Sequence, residues 1–396
     1  MMQISPETQL FIREHSSDDV RVLALQAKKY PDIDMPTVIT QIAGRKVAAE
    51  KIPSWWEIEK IWYPKHLSLE QCSSEITARY KARLLQGDSL TDLTGGFGID
   101  CSFLATGFKS ATYVERQEEL CEIAAHNFPV LNLNHINIKN EDGVTYLQAM
   151  SPVDCLFLDP ARRNEHGGKT VAISDCEPNV AELEELLLQK ANRVMIKLSP
   201  MLDLSLALKE LKQTQEVHIL SVNNECKELL ILLGQTSPAE ISIHCVNLFT
   251  KGTQKEQHFV FTREQEQCSE CTYTDSLETY LYEPNASLLK AGAFRSIAAA
   301  YPVRKLHPNS HLYTSDTFIE NFPGRIFRIV NQCSFNKKEV KENLAALKKA
   351  NVTVRNFPAT VAELRKRIHL AEGGDTYLFA STLNNGQKVL IRCEKV

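Results

Sequence analysis

Between residues 87 and 236, short apolar runs alternate with longer amphipathic stretches. The apolar runs have the length of strands that are buried on both faces of a sheet, and the stretches between them have the helical period. Only residues 223–227 separate the last two runs, which is too short for a crossover helix, so these strands are predicted to form an antiparallel hairpin. The predicted strands are 90–93, 111–114, 136–139, 154–158, 193–198, 217–222 and 228–233, with helices at 101–106, 118–128 and 179–190 and a short one that ends at 147. The pattern predicts one doubly wound α/β domain with a seven-stranded sheet.

The chain before residue 87 has helical patterns, at 20–29, from 34 or 35 to 48, and at 73–83. Trp55, Trp56 and Trp62 concentrate aromatic surface in one short segment. We interpret them as the core of a small helical domain, and the alternative is a base-stacking platform for a nucleic acid.

The chain after residue 236 has an α+β pattern. Its predicted elements are a hairpin (240–248 and 257–264), a strand–helix–strand piece (280–283, 286–301 and 304–314), and a final series of strands and helices (325–330, 337–348, 352–356, 360–370, 377–382 and 387–394). The predicted domains are an N-terminal helical domain (1–86), the α/β domain (87–250), a linker and hairpin (251–271), a small piece (272–322) and a final α+β domain (323–396).

The composition is that of an ordinary globular chain of 396 residues. No apolar run approaches the roughly 18 residues that span a bilayer, and the N-terminus lacks the basic and apolar regions of a signal peptide. The 11 cysteines are odd in number and form no framework, which favours a reducing compartment. We therefore expect a cytoplasmic protein without a membrane partner. Cys268 and Cys271 have zinc-like spacing, but no second pair accompanies them, so no structural metal is expected.

The formal net charge of −4 is unevenly distributed. Residues 322–396 carry 14 Lys and Arg against 6 Asp and Glu, a balance of +8, so the remainder carries −12. A basic end on an acidic body is typical of a nucleic-acid contact, and the alternative is a solvated helical face.

An acidic residue and several glycines stand between the first predicted strand and its helix, in the segment 92–100. Glycines let a backbone pass close under a nucleoside, and the N-terminus of the next helix offers free N–H groups. Such a turn is also common in ordinary loops. Whether it binds a nucleoside therefore has to be inferred from the residues at the ends of the later strands.

Four successive strands end in acidic residues, which are Asp92, Glu115, Asp142 and Asp159. Ligands of a doubly wound sheet bind outside the carboxyl ends of its strands, so these side chains are predicted to surround one site. A carboxylate after the second strand can accept hydrogen bonds from both hydroxyls of a ribose. Sites for NAD and for S-adenosylmethionine share this feature.

Three features favour S-adenosylmethionine. Cys101 stands where the dinucleotide motif has its third glycine, Asp142 suits an adenine amino group, and the closing hairpin is the methyltransferase variant of the fold. Residues 90–236 resemble a class I S-adenosylmethionine-dependent methyltransferase with a Rossmann-like seven-stranded sheet. The resemblance implies that Glu115 holds the ribose, that Asp142 contacts adenine and that the glycine turn cradles the amino-acid part of the donor. The implied donor-binding residues are Asp92, Thr94, Gly95, Gly96, Gly98, Glu115, Arg116, Asp142 and Gly143.

The segment 159–163 occupies the catalytic position of this resemblance. Nucleic-acid amino methyltransferases have a second proline and an aromatic ring there, and this chain has Ala161 and Arg162 instead. A base-stacking ring is therefore missing from the expected place. We expect Asp159 and Pro160 to position the acceptor, with the carboxylate orienting or deprotonating it.

Arg162 and Arg163 are predicted to grip an anion of the substrate, because a guanidinium binds phosphate or carboxylate in a bidentate way. The alternative is an ion pair within the loop, with Glu165 or Asp175. Lys197, at the end of the fifth strand, faces the same crevice and is a further substrate-binding candidate.

The whole chain resembles a group of bacterial methyltransferases that end in a THUMP-like domain. The segments that carry this resemblance are 71–75, 159–163, 282–286, 363–366 and 373–374. In that group a ferredoxin-like piece, here 272–322, precedes the THUMP-like end, here 323–396. True THUMP domains bind tRNA, so the resemblance implies RNA as the partner, with tRNA favoured by analogy alone. The implied contacts are Arg365, Lys366 and Arg367.

Three functions stay open at this point. The chain is an RNA methyltransferase whose basic end docks the nucleic acid, a methyltransferase for a small molecule or a protein, or a non-catalytic RNA-binding protein that keeps the donor pocket.

Overall fold

The computed structural model describes residues 4–162, 172–236, 238–345 and 347–396. Arg163 and Glu165, and the side chain of Arg162, lie outside the described part of the chain. The chain divides into two compact units, Met1–Gln215 with Leu229–Pro238 and Glu216–Glu228 with Ala239–Val396.

The helices are α1 (Pro6–Glu14), α2 (Val20–Leu25), α3 (Met35–Lys51), α4 (Pro53–Trp56), α5 (His66–Gln71), α6 (Glu75–Ala82), α7 (Ile99–Ala105), α8 (Glu118–Val130), α9 (Gly143–Ala149), α10 (Val180–Lys190), α11 (Leu204–Glu210), α12 (Arg263–Cys268), α13 (Ala286–Ala291), α14 (Ser296–Ala300), α15 (Lys337–Leu344) and α16 (Val361–Ile368). The strands are β1 (Ser89–Asp92), β2 (Ser110–Glu115), β3 (Ile136–Asn140), β4 (Val153–Leu158), β5 (Ala161–Arg162), β6 (Cys176–Glu177), β7 (Ala191–Leu198), β8 (Thr214–Val222), β9 (Glu225–Gly234), β10 (Ser242–Leu248), β11 (Glu256–Thr262), β12 (Tyr280–Pro284), β13 (Arg304–Lys305), β14 (Tyr313–Ser315), β15 (Gly324–Ser334), β16 (Asn351–Val354), β17 (Thr376–Thr382) and β18 (Lys388–Lys395). Among the described residues, no helix has both the length and the apolar character needed to cross a membrane.

Within the described residues, the larger sheet has nine strands in the order β11-β10-β8-β9-β7-β4-β1-β2-β3. The pairs β2–β3, β1–β2, β1–β4 and β4–β7 are parallel, and β9 is antiparallel to β7. This arrangement confirms the predicted α/β fold with its closing antiparallel hairpin. The sheet is wider than predicted because β10 pairs in parallel with β8, and β11 pairs with β10. The hairpin 240–264 was predicted, but local periodicity does not show which strand it joins.

Several local predictions were wrong. Helix α11 and the small hairpin of β5 and β6 were not predicted. The single helix predicted at 286–301 is two helices, because Gly292 ends α13 with a φ of 78°. The strand predicted at 304–314 is the separate pair β13 and β14.

The smaller of the two main sheets lies in the second unit and has seven strands among the described residues, in the order β13-β14-β12-β15-β18-β17-β16. Antiparallel pairing of β12 with β15 joins the predicted strand–helix–strand piece to the final α+β elements. A Cβ on Gly324 would lie 2.1 Å from the carbonyl oxygen of Glu283, so the start of β15 needs a residue without a side chain. The two C-terminal pieces therefore share one sheet.

The N-terminal helices pack on the segment that follows β1. Trp55 is only 2 % exposed and meets Phe97 edge to face, with ring centroids 5.2 Å apart. Trp62 stacks on His126 with centroids 3.7 Å apart, whereas Trp56 is 41 % exposed. Trp55 and Trp62 therefore pack against other rings, and the core around Trp55 includes Phe97 of the glycine turn.

Candidate active site

The glycine turn between β1 and α7 is shaped by Tyr113 of β2. A Cβ on Gly95 would lie 2.2 Å from a ring carbon of Tyr113, so only glycine fits there. Gly96 and Gly98 have φ angles of 53° and 86°, a left-handed conformation that other residues rarely adopt. The Tyr113 hydroxyl donates a hydrogen bond to the Gly96 carbonyl oxygen. The turn thus requires glycine for steric reasons.

Asp92, at the end of β1, is 1 % exposed. Its Oδ1 accepts the N–H of Thr94 at 3.0 Å, while its Oδ2 has no hydrogen-bond partner among the described residues. Burial raises the pKa of Asp92 to about 8, and the hydrogen bond from Thr94 opposes the shift. A buried carboxyl oxygen without a partner is costly, so Oδ2 is suited to a ligand group that donates a hydrogen bond.

Glu115 and Asp142 are each fixed by backbone groups. Glu115 is buried and accepts the N–H groups of Gly96 at 2.9 Å and Gln117 at 2.8 Å. Asp142 is exposed and accepts two N–H groups in the first turn of α9, at 3.1 and 3.0 Å. Glu115 is the last residue of β2, and Asp142 lies two residues beyond the end of β3, so both carboxylates stand at the strand ends that the sequence indicates.

Two further predicted donor-binding residues have different surroundings. A Cβ on Gly143 would lie 2.2 Å from the carbonyl oxygen of Leu93, so α9 starts in close contact with the end of β1. The side chain of Arg116 is 63 % exposed and pairs with Glu177 at 3.3 Å. Arg116 therefore has a surface partner within its own unit.

The structure brings Asp159 and Lys197 into direct contact. They stand at the ends of the paired strands β4 and β7, and the ammonium group of Lys197 donates to Oδ2 of Asp159. The N–H of Asp159 donates to Oγ1 of Thr94 at 2.6 Å. Burial raises the pKa of Asp159, and the Lys197 ammonium opposes this shift. Thr94 thus links the catalytic candidate to Asp92 and the glycine turn.

Ser73, Lys81 and Asp100 continue this contact into the interior. Asp100 accepts a hydrogen bond from Ser73 Oγ at 2.7 Å and pairs with Lys81 Nζ at 2.8 Å and Lys197 Nζ at 3.5 Å. Ser73 Oγ accepts hydrogen bonds from both ammonium groups, at 2.8 and 3.1 Å. Burial alone would raise the pKa of Asp100, but Lys81 and Lys197 lower it to about 2. Charges of opposite sign therefore alternate from Lys81 to Asp159.

Sequence reasoning missed these three residues as a group. Lys81 is fully buried on the face of α6 that also carries the buried Thr77 and Ala78. A lysine is almost never fully buried without a partner, so a lysine at helical spacing from apolar positions is a signal that could have found this site. Ser73 lies in the segment 71–75 that carries the whole-chain resemblance, and Asp100 stands in the first turn of α7.

The other predicted catalytic residues are only partly described. Pro160 is buried directly after Asp159, and β5 pairs with β6 through Arg162 and Cys176. The role of the Arg162 side chain and of Arg163 stays a prediction.

The predicted RNA contacts lie in the last turn of α16, in the second unit. The side chain of Arg365 is 18 % exposed and lies 3.9 Å from Glu372, whereas Lys366 is exposed. Arg367 is also exposed, and its guanidinium lies 4.1 Å from the ring centroid of Phe335. Successive helical residues are about 100° apart, so the three side chains do not share one face.

Two family models match the C-terminal part of the chain. Residues 280–323 match a ferredoxin-like domain, and residues 324–395 match a model described as THUMP domain-like. No curated protein matches the chain.

Solved structures give a longer match. The crystal structure of a "putative methyltransferase" from Porphyromonas gingivalis W83 has 34 % sequence identity and a TM-score of 0.88, with all of both chains covered. An rRNA methylase from Streptococcus thermophilus is 14 % identical and covers 40 % of this chain and 93 % of its own, with a TM-score of 0.30. A Streptococcus mutans protein, also described as a putative methyltransferase and in complex with SAH, is 12 % identical over 40 % of this chain and 96 % of its own, again with a TM-score of 0.30. The last two scores are too low to carry an argument. The full-length match shows that this chain belongs to the methyltransferase family of the P. gingivalis protein, with a ferredoxin-like and a THUMP-like domain at its C-terminal end.

Proposed function

We propose that this chain is an S-adenosylmethionine-dependent methyltransferase that acts on RNA. The observation that carries the proposal is the position of Thr94, which bonds Asp92 through its N–H and Asp159 through its hydroxyl oxygen. Thr94 therefore lies between Asp92, whose Oδ2 has no hydrogen-bond partner among the described residues, and Asp159, whose carboxylate pairs with Lys197. The first suits a donor site, and the second suits an acceptor site.

The residues at the donor site fit S-adenosylmethionine. Oδ2 of Asp92 is buried without a partner, and a hydrogen bond from the ammonium group of the donor would satisfy it. Glu115 is held by two backbone N–H groups, and its remaining lone pairs can accept the ribose hydroxyls. Asp142, exposed after β3, can accept from the adenine amino group. When bound, S-adenosylmethionine supplies an electrophilic methyl group on its sulfonium.

The residues at the acceptor site can hold the group that receives the methyl. The Asp159 side chain is 36 % exposed, against 11 % for Lys197 and 10 % for Asp100, so Asp159 is the end of the network that a substrate can reach. The ammonium group of Lys197 stabilises the ionised form of Asp159. That carboxylate can then accept a hydrogen bond from the group that receives the methyl. The hydrogen bond would orient the lone pair of that group for in-line attack on the methyl carbon. Ser73 and Asp100 keep Lys197 in place.

RNA is the acceptor class that the C-terminal end favours. Residues 324–395 match a THUMP domain-like model, and residues 322–396 carry a formal charge of +8. Lys366 and Arg367 are exposed on α16 and can contact phosphates. The proposal that this RNA is a transfer RNA rests on the analogy with THUMP domains alone. The predicted domain boundaries, after residues 86, 250, 271 and 322, also stay a proposal that limited proteolysis would test.

The test uses the purified chain, S-adenosylmethionine with a labelled methyl group, and total RNA, protein and metabolites from a strain that lacks this protein. We expect label in the RNA fraction. Label in protein or metabolites alone would favour the second function, a methyltransferase for a small molecule or a protein. Donor binding without transfer to any fraction would favour the non-catalytic RNA-binding protein.

A further inference from the structure

A group of histidine and carboxylate side chains lies on strands β8 and β10, within the second unit. Its members are Glu216, His218 and His244. Each offers one potential ligand atom, and these atoms all lie within 4.8 Å of one another. None of the predicted methyltransferase roles uses these residues.

Strand pairing assembles the group. Glu216 and His218 are two positions apart on β8 and so project from the same face of the sheet. The parallel register of β8 with β10 places His244 directly opposite His218. On the far side of β10, His258 of β11 lies with its Nε2 3.1 Å from Nδ1 of His244.

We propose that Glu216, His218 and His244 form a zinc site, with His258 or water in the fourth position. In a tetrahedral zinc site the metal–ligand bonds are about 2.0–2.1 Å, which places neighbouring ligand atoms about 3.3 Å apart. Oε2 of Glu216 and Nε2 of His218 are 3.2 Å apart, close to that spacing. The proposal is independent of the proposed function.

The chemistry of the ligands selects the metal. Two imidazole nitrogens and one carboxylate oxygen are a donor set that zinc takes readily, whereas magnesium prefers oxygen ligands and retains its waters. His218 is 2 % exposed, so the site has a dry side that holds one ligand rigidly.

Zinc binding requires a side-chain rearrangement. The rings of His218 and His244 stack, with centroids 4.3 Å apart and planes at 16°. Both rings must turn so that one nitrogen of each points to a common atom, and χ2 of histidine is broad enough to permit this. The ion would replace the present contacts of His218 with Glu216 and of His244 with His258. It would also connect β10 to β8 through side chains, in addition to the backbone hydrogen bonds between these strands.

The proposed zinc site does not include the two cysteines that have zinc-like spacing in the sequence. The pair Cys268 and Cys271 has metal-like spacing but is not part of the group found among the described residues. The proposed ligands come from two strands that are distant in the chain, so no short motif contains them. The expectation that the protein has no structural metal would therefore be overturned by zinc at this group.

The test is metal analysis of the full chain after removal of any affinity tag. The protein is stripped with a chelator, dialysed, and titrated with zinc in competition with a chromogenic chelator. We expect about one zinc per chain, a rise in Tm on zinc addition, and no comparable rise with magnesium. Loss of an outer-shell hydrogen bond to a ligand typically weakens metal binding by about 10–100-fold, so the variants His218→Gln and His244→Gln, which each lose a ligand, are expected to weaken zinc binding by at least that much.

A matched control comes from α5, where His66 lies 3.6 Å from Glu70 and both are exposed. That pair has a histidine and a glutamate but is not in the group of possible ligands. The variant His66→Gln should keep full zinc binding. Absence of zinc binding by the wild-type chain would overturn the proposal, as would zinc affinity that is the same in His244→Gln, His218→Gln and His66→Gln. Circular dichroism and the unfolding transition of each variant without metal separate loss of binding from loss of folding, and X-ray absorption of the zinc-loaded wild-type chain should show mixed nitrogen and oxygen ligands.

Discussion

Lys81 of α6 and Asp100 of α7 form a buried ion pair, with Nζ 2.8 Å from Oδ1 and side chains that are 0 % and 10 % exposed. The pair connects the helix that precedes β1 to the helix that follows the glycine turn. Through Lys197 it also reaches Asp159. Because removal of one partner leaves a charge in a poorly solvated place, this pair makes the proposed site sensitive to changes that never touch a substrate.

Replacement of Lys81 by methionine should destabilise the protein. Removing one partner of a buried ion pair typically costs about 3–5 kcal/mol, and we expect the lower end because Asp100 keeps Lys197. Urea unfolding of Lys81→Met measures the loss. The matched control is Lys109→Met, whose ammonium pairs with Asp88 at 2.9 Å on the surface and should contribute little. Equal stability of the two variants would contradict the buried role of Lys81.

Asp92 should make the free energy of unfolding depend on pH. Its pKa in the folded chain is about 8, far above the value of about 3.9 for an unfolded aspartate. A raised pKa means that the stability linked to the protonated form is complete at low pH and is lost as the pH rises towards 8. Without donor, the wild-type chain should therefore lose stability relative to Asp92→Asn between pH 5 and pH 8. A difference between the two proteins that stays constant over this range would show that Asp92 is not protonated in the fold.

Substitution of Gly95 by alanine should damage the glycine turn. The new Cβ would lie 2.2 Å from the ring of Tyr113, and overpacking of this kind costs about 1–3 kcal/mol. We expect a lower Tm and weaker binding of S-adenosylmethionine in calorimetry. Gly107 is the control, because its Cβ would meet only the carbonyl oxygen of Leu104 at 3.8 Å. Donor affinity in Gly95→Ala equal to that in Gly107→Ala would argue against a donor site at the turn.

The variant Asp159→Asn should separate transfer from donor binding. It keeps the shape of the side chain but loses the charge that Lys197 stabilises. Loss of a group that positions or accepts a proton should lower methyl transfer by about 10²–10⁴-fold, while donor affinity stays near the wild-type value. Asp88→Asn, at the other end of the strands and 69 % exposed, should retain normal transfer. Unchanged turnover in Asp159→Asn would exclude the assigned role.

Charge reversal on α16 should weaken RNA binding in a salt-dependent way. Each phosphate contact that is lost reduces the slope of log affinity against log salt by about 1. We expect this for Lys366→Glu and Arg367→Glu, because both side chains are exposed. The exposed Lys29 of the N-terminal segment provides the control Lys29→Glu, which should leave the slope unchanged. Affinity that responds equally to all three variants would point to a diffuse charge effect.

The predicted parts of the site are those with local causes. Asp92, Glu115 and Asp142 could be placed because each stands at or within two residues of the carboxyl end of a strand, and parallel strands bring these ends to one edge. Gly96 and Gly98 could be singled out because glycines between a strand and a helix are typical of a turn with positive φ, and both residues have a positive φ in the structure. The contact between Lys197 and Asp159 could not be predicted, since nothing near Lys197 in the chain shows that its ammonium meets this carboxylate.

Local patterns were enough to place most of the alternating strands and helices of the α/β domain, its closing hairpin and the acidic strand ends, because periodicity and turn chemistry act over a few residues. Long-range contacts set the rest: β12 pairs with β15, β10 pairs with β8, and Ser73, Lys81 and Asp100 surround the ammonium groups next to Asp159. The fold also separated Arg365 from its two neighbours on α16. These contacts join residues that are distant in the chain. They depend on which surfaces pack together when the chain folds, and the residue pattern within a short segment does not contain that information.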